Sequence, residues 1–160
     1  MLHIKIVAVG KIKEKYLKEG IKEYSKRLGA YVKFQMIEVD DEPCSEKHSL
    51  AEMERVKQKE GIRLLKHIEE QDYLILLDLQ GRGLSSLQFA EMLATRSLAG
   101  QSKIAFIIGG SLGVSAQVQE RANYVWSFSK LTFPHQLFRL ILLEQIYRAC
   151  KINHGETYHK

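Results

Sequence analysis

Apolar positions along the chain follow two alternating rhythms. Dense apolar runs at Ile4-Lys-Ile-Val-Ala-Val9, Phe34-Gln-Met-Ile-Glu-Val39, Tyr73-Leu-Ile-Leu-Leu-Asp-Leu79, Lys103-Ile-Ala-Phe-Ile-Ile108 and Val125-Trp-Ser-Phe128 predict five strands. Between them the apolar spacing changes to that of a helix. Leu17, Ile21, Tyr24 and Leu28 lie at intervals of 4, 3 and 4, one helical face closed by Gly29. A longer helical stretch runs from about Leu50 to Ile68, with Met53, Val56, Leu64, Leu65 and Ile68 on its apolar side. Gln80-Gly-Arg-Gly83 reads as a loop. Ser85 and Gln88 then form a capping box, and Leu84 and Phe89 have the spacing of a hydrophobic staple. A short helix is predicted over Ala116 to Ala122, and the last helix over Pro134 to Ile152.

Near-continuous apolar strands separated by helices predict an α/β fold, a mainly parallel sheet with helices on both faces. With no repeat, linker or low-complexity stretch, residues 1–160 are expected to form one domain. Ligands of such sheets bind beyond the carboxyl ends of the strands. Those ends carry Leu77 to Gly81, Gly109 to Gly113, and Phe128 to Phe133.

Composition narrows the class. Apolar residues make up 45% of the 160 and charged residues 27%, ordinary globular values. No run approaches the ~20 apolar residues that span a bilayer. The start lacks the basic region and cleavage site of a signal peptide, so the expected location is cytoplasmic. Cys44 reads as a loop thiol and Cys150 as a core thiol, with no C-x-x-C pair. The histidines at 3, 48, 67, 135, 154 and 159 show no metal-binding spacing, and no metal is expected. His135, beside Pro134, reads as a helix-start residue that caps or packs. A net charge of +5 permits a polyanionic partner without requiring one. Its distribution is uneven. Lys11, Lys13, Lys15, Lys18, Lys22, Lys26 and Arg27 crowd the first helix region, partly neutralised by Glu14, Glu19 and Glu23. Arg139, Arg148, Lys151 and Lys160 load the C-terminus.

The Gly109-Gly-Ser-Leu-Gly113 turn lies between strand and helix, where backbone N–H groups could meet a ligand. It is not G-x-G-x-x-G, and no ribose-binding acid follows about 20 residues later. Ser129-Lys-Leu-Thr-Phe133 lacks the Gly-Lys-Ser/Thr of a phosphate loop, and only Gly10 follows the first strand. Three strand ends with glycines or small polar residues, and no phosphate-binding chemistry, suit an adenosine with a short zwitterionic tail better than a triphosphate.

The C-terminal segment carries the other candidate chemistry. The last helix bears Arg139, Glu144, Gln145 and Arg148 on an otherwise apolar cylinder. Arg139 stands five residues from Glu144, outside i,i+4 pairing, and so reads as a freer candidate for RNA or dimer contacts. Leu137, Phe138, Leu140, Ile141, Leu142, Leu143, Ile146 and Tyr147 make this helix apolar nearly all round, and a second subunit is the natural cover. The chain then runs into Tyr158-His159-Lys160.

Five segments together resemble one family. They are Val9-Gly10-Lys11 with Lys13-Glu14, Phe106-Ile-Ile-Gly-Gly-Ser-Leu-Gly113, Ser127-Phe-Ser-Lys-Leu-Thr-Phe-Pro-His135, Leu143-Glu-Gln-Ile-Tyr-Arg-Ala149 and Gly155-Glu-Thr-Tyr-His159. The chain resembles the RlmH family of SPOUT-class methyltransferases from Met1 to Lys160. That resemblance implies S-adenosylmethionine as methyl donor. The acceptor it implies is N3 of pseudouridine 1915 in helix 69 of 23S rRNA, in the assembled 70S ribosome. It also implies a deep trefoil knot in the C-terminal half and an obligate homodimer. Position by position, Leu77 matches the family's strand-end contact to the cofactor, and Gly109 the loop that lets backbone approach it. Phe128, Ser129, Lys130, Leu131, Thr132 and Phe133 match the loop that wraps adenine and ribose. Two positions depart from the pattern: Thr157 stands where proline is usual, and His154 where arginine is common.

Transfer of a methyl group to the N3 imide of pseudouridine requires in-line alignment and loss of a proton. By residue type His159 is the general-base candidate and Tyr158 could stack on or orient the base. Lys160 and Arg148 could stabilise imidate charge or hold phosphates. The rival readings are a non-catalytic RNA-binding module, which needs no cofactor pocket, and a small dehydrogenase, disfavoured by the missing ribose acid.

Overall fold

The computed structural model describes residues 1–158. The elements run β1 (Leu2–Val9), α1 (Lys15–Leu28), β2 (Val32–Val39), α2 (Leu50–Leu65), β3 (Tyr73–Arg82), α3 (Ser86–Leu98), β4 (Lys103–Ile108), α4 (Ala116–Arg121), β5 (Tyr124–Trp126) and α5 (His135–Asn153). All four strand pairings are parallel, in the order β2-β1-β4-β3-β5.

The period-2 alternation of the strands divides the core in two. Ile4, Ile6, Ala8, Ile75, Ile104 and Phe106 face one side, with Leu28, Phe89, Leu93, Leu142, Leu143 and Ile146 from α1, α3 and α5. Val7, Leu74, Leu76, Ala105 and Ile107 face the other, with Leu64 from α2 and Val118 from α4. Both faces are therefore covered, and the central strands β1, β4 and β3 are apolar over most of their length.

Local signals set the helix starts. Ser49, Ser85 and Ser115 each accept a backbone N–H in the first turn of α2, α3 and α4, and the Ser85–Gln88 capping box is complete. Gly29 closes α1 with φ −57°, a right-handed rather than a left-handed end.

The structure differs from the sequence reading at several edges. α2 stops at Leu65, so Ile68 packs from the following turn. β5 is shorter, and Phe128 lies in the loop after it. Gln80-Gly-Arg82 is not a loop. β3 continues through it and pairs again with β5 after an irregularity, Arg82 opposite Trp126. A Cβ at Gly81 would stand 2.6 Å from the Val125 carbonyl group. Two backbones cross there at a distance that only glycine allows.

Candidate functional site

The carboxyl ends of β3, β4 and β5 enclose a cavity of about 320 Å³. Leu77, Trp126, Phe128, Leu131, Phe133 and Phe138 supply its apolar wall, and Gly109, Gly110 and Gly113 bring backbone to its rim. Aromatic packing fixes that wall. Trp126 stacks on Phe89 at 4.4 Å, Phe128 lies 4.4 Å from Trp126, and Phe138 meets both Phe128 and Phe133. The loop after β5 holds itself: Ser127 Oγ donates to the Ser129 carbonyl, and Ser129 Oγ accepts from Leu131 N–H.

Asp78 and His135 are the ionisable side chains in the lining; among the described residues neither lysine nor arginine contributes to it. This is poor chemistry for a polyphosphate and good chemistry for a flat, nearly neutral ring system. The Trp126 indole Nε1–H is buried at the edge of this space without a partner, an unspent donor.

The structure brings seven of the eight predicted cofactor residues around this cavity: Leu77, Gly109, Phe128, Ser129, Leu131, Thr132 and Phe133. Lys130 is exposed and outside the lining. Gly109 has a different local reason from the one its position suggests. A Cβ there would meet Val114 Cγ1 at 2.5 Å, so the glycine lets the loop fold on itself. Sequence reasoning missed Trp126 and His135, and included Asp78 only as part of the Leu77 to Gly81 strand end. Trp126 and Asp78 are embedded in strand patterns and give no separate signal. His135 was read as a capping or packing residue. It keeps an exposed edge, yet burial by the surrounding loop, then the nearby Arg139 charge, lowers its pKa. A hydrogen bond with the Gly109 backbone opposes that shift.

Arg139 is not free for RNA or a partner subunit. Its side chain is 1% exposed. It donates to Glu38 at 2.9 Å and to the Val9 and Gly10 carbonyls at 2.7 and 2.8 Å. Glu38 also accepts the Ile12 N–H. The arginine thus ties the ends of β1 and β2 to the first turns of α5. Its partner Glu38 is 101 residues away, beyond the reach of helical spacing rules.

A second polar cluster lies at the other end of α5. Arg148 donates to Glu144 at 3.0 Å, Gln145 donates to the same carboxylate, and Tyr158 donates to it at 3.3 Å. The Arg148 guanidinium sits 4.8 Å over the Tyr158 ring, and Tyr158 meets Tyr147 edge-on. Burial, then the Glu144 charge, raises the Tyr158 phenol to about 12. His154 turns toward the helix end, with Nδ1 against the Cys150 carbonyl and its ring on Tyr31. Arg148 and Tyr158 are therefore together. His159 and Lys160 lie outside the described residues. Phe138 at the cavity and Arg148 at this cluster are separated by about 15 Å of helix axis at the usual rise per residue.

Comparison with known proteins settles the family. The model described as "Predicted SPOUT methyltransferase" matches residues 2–159. The chain belongs to the SPOUT methyltransferase family. It is 61% identical over 160 residues to Ribosomal RNA large subunit methyltransferase H of Desulfitobacterium hafniense, covering 100% of both chains. Identity to the protein of the same name from Carboxydothermus hydrogenoformans is 58% over 159 residues, 99% of this chain and 100% of that one. Among solved structures, Ribosomal RNA small subunit methyltransferase E from Neisseria gonorrhoeae, bound to S-adenosyl methionine, superposes with TM-score 0.50. It is 11% identical and the match covers 89% of this chain and 64% of that one, a likeness of fold.

Proposed function

We propose that this protein transfers a methyl group from S-adenosylmethionine to N3 of pseudouridine 1915 in helix 69 of 23S rRNA, on the assembled 70S ribosome. The observation that carries the reading is the cavity: apolar walls, three glycines, an unspent indole donor and no lysine or arginine among its described lining residues. These residues fit S-adenosylmethionine. Leu77, Phe128 and Phe133 would hold the adenine, the backbone at Gly109 and the Ser129–Thr132 loop would meet polar edges, and Trp126 Nε1–H would find its acceptor. The bound donor supplies an electrophilic methyl on sulfur. Asp78 is the cavity residue suited to a positively charged ligand centre.

On the acceptor side, Arg148 and Tyr158 are held ready by Glu144, and His159 and Lys160 follow them in sequence. The N3–H must be removed or its anion stabilised, the roles assigned to His159, and to Arg148 and Lys160. The ~15 Å between Phe138 and Arg148 favours a homodimer in which one chain's tail closes its partner's cavity. Supporting this, Leu137 and Ile141 remain half-covered on a helix with no fully exposed position from Gln136 to Ile152. One domain over residues 1–160, with a trefoil knot at its C-terminal half, is part of the same reading. The close crossing of Gly81 over Val125, and the return of α5 to pack on α1 and α3, support the knot. The cytoplasm, where ribosomes reside, is the expected location.

The test is methyl transfer from labelled S-adenosylmethionine to 70S ribosomes, free 50S subunits and naked 23S rRNA. Label at N3 of pseudouridine 1915, highest with 70S particles, is the expected result. Absence of label from all three would refute the reading.

A further inference from the structure

The lysines of the first helix region have an order that the cavity does not use. On α1 the buried positions are Leu17 and Leu28, with Ile21 and Tyr24 packed on the same core. At 100° per residue, Lys15, Lys22 and Lys26 fall on the opposite side and Lys18 on its flank, and all four are exposed. They form one stripe about 16 Å long at the usual helical rise. Lys15 reaches toward Glu19 only at 3.9 Å, with both side chains largely in solvent. Glu23 is taken by Arg27, which leans over Tyr24 and Tyr147 on another side of the helix.

The stripe continues into the loop before α1, which is fixed at the mouth of the site. Arg139 grips the Val9 and Gly10 carbonyls, Glu38 holds the Ile12 N–H, and Gln136 accepts the Lys13 N–H at 3.1 Å. Exposed Lys11 and Lys13 line a hollow of about 250 Å³ that shares Gly110, Ser111 and His135 with the donor cavity; Asp41, Glu42 and Glu60 line it too, with Glu42 already paired to Arg55, Lys59 and Arg63. Cations therefore run from the rim of the site along one helix face, on a loop pinned to the start of α5.

We propose that Lys11, Lys13, Lys15, Lys18, Lys22 and Lys26 form a phosphate-tracking surface that lies along the rRNA backbone and sets the target base at the cavity. The proposal rests on the rRNA reading above and adds the face on which the RNA lies. Such contacts carry orientation and salt dependence rather than sequence information. The pinned loop distinguishes the two parts of the track. Helix lysines contribute to binding, whereas Lys11 and Lys13 also affect the rate of the bound complex.

The experiment compares wild type with K18A/K22A/K26A, K11A/K13A and the control Lys66→Ala, which lies at the end of α2. Ribosome binding is read by co-sedimentation across a salt series, methyl transfer by kcat and KM, and donor binding by fluorescence of Trp126, the one tryptophan. The triple variant should keep donor affinity and kcat but raise KM for ribosomes at least tenfold. Its log–log salt slope should be shallower by about 2 to 3. K11A/K13A should lower kcat as well, and Lys66→Ala should match wild type. A folded triple variant with wild-type ribosome affinity and salt slope would overturn the proposal. So would a stripe that binds anionic lipid vesicles but not ribosomes. If wild type binds ribosomes through the stripe yet transfers no methyl, the functional reading fails while the tracking surface stands.

Discussion

At the N-terminal end of α5, Arg139 is 1% exposed; its two terminal nitrogens donate to Glu38 and two strand-end carbonyls, while its Nε is buried without a partner. At the C-terminal end, the Arg148 and Glu144 side chains keep 25% and 22% of their surface in solvent. Both ends carry an arginine–glutamate pair on the same helix. The buried Arg139 guanidinium is a structural bolt: it fixes the loops around the cavity, and its charge is unavailable to any ligand. The Arg148–Glu144 pair keeps about a quarter of its surface in solvent, so a ligand can reach it, as the proposed acceptor role requires. An arginine's burial and partners, rather than its presence in a motif, separate the scaffold from the chemistry.

The largest break in this comparison should come from removing the bolt. Arg139→Met strips the Val9 and Gly10 carbonyls of their donor and leaves Glu38 without its cation. A loss of about 3 kcal/mol is expected, the low end for a broken buried pair because Glu38 is itself a third exposed. Urea unfolding measures it. Arg148→Met should cost less by the same assay, about 1 kcal/mol, because Glu144 keeps Gln145 and Tyr158 as partners and a quarter of the pair stays in solvent.

A smaller effect is expected at the donor end. Gly109→Ala forces a Cβ against Val114 and should destabilise by about 1 to 3 kcal/mol, the usual range for overpacking. The double variant Gly109→Ala/Val114→Ala opens that space. Recovery of both stability and donor affinity, measured by calorimetry, is the expected outcome. Stability without donor affinity would show instead that the cofactor itself needs the glycine.

The smallest effect is a pH dependence at His135. Its pKa is lowered in the folded protein, so the folded state binds protons less readily than the unfolded chain. The stabilisation is present above the unfolded value of about 6.5 and is lost as pH falls through the folded value. Wild type should therefore lose stability between pH 7.5 and 5.5 relative to His135→Asn. Parallel curves would remove His135 from the account.

The central strands β1, β3 and β4 were legible because each buries residues on both faces, which leaves an unmistakable apolar run. Polar edges were less so. Gln80-Gly-Arg82 has turn composition, and its strand geometry comes from a backbone crossing at Val125 that no local pattern encodes. The cavity was approachable because its residues follow three strand ends, and resemblance to the RlmH family named Leu77, Gly109 and the 128–133 loop. Arg139 was misread because its partner lies on another strand, and charge spacing along a helix cannot reveal that. Trp126 went unnoticed because an aromatic in a strand reads as core, which it also is.

The central claim is the division of labour along α5: donor at one end, acceptor chemistry at the other. Truncation after Thr157 removes Tyr158, His159 and Lys160 and leaves every cavity-lining residue in place. The decisive measurement is methyl transfer to 70S ribosomes by this variant, beside S-adenosylmethionine affinity read from Trp126 fluorescence. The account predicts affinity within about twofold of wild type and transfer at least a hundredfold slower, a difference of roughly 2.7 kcal/mol in barrier. Wild-type transfer by the truncated protein would contradict it.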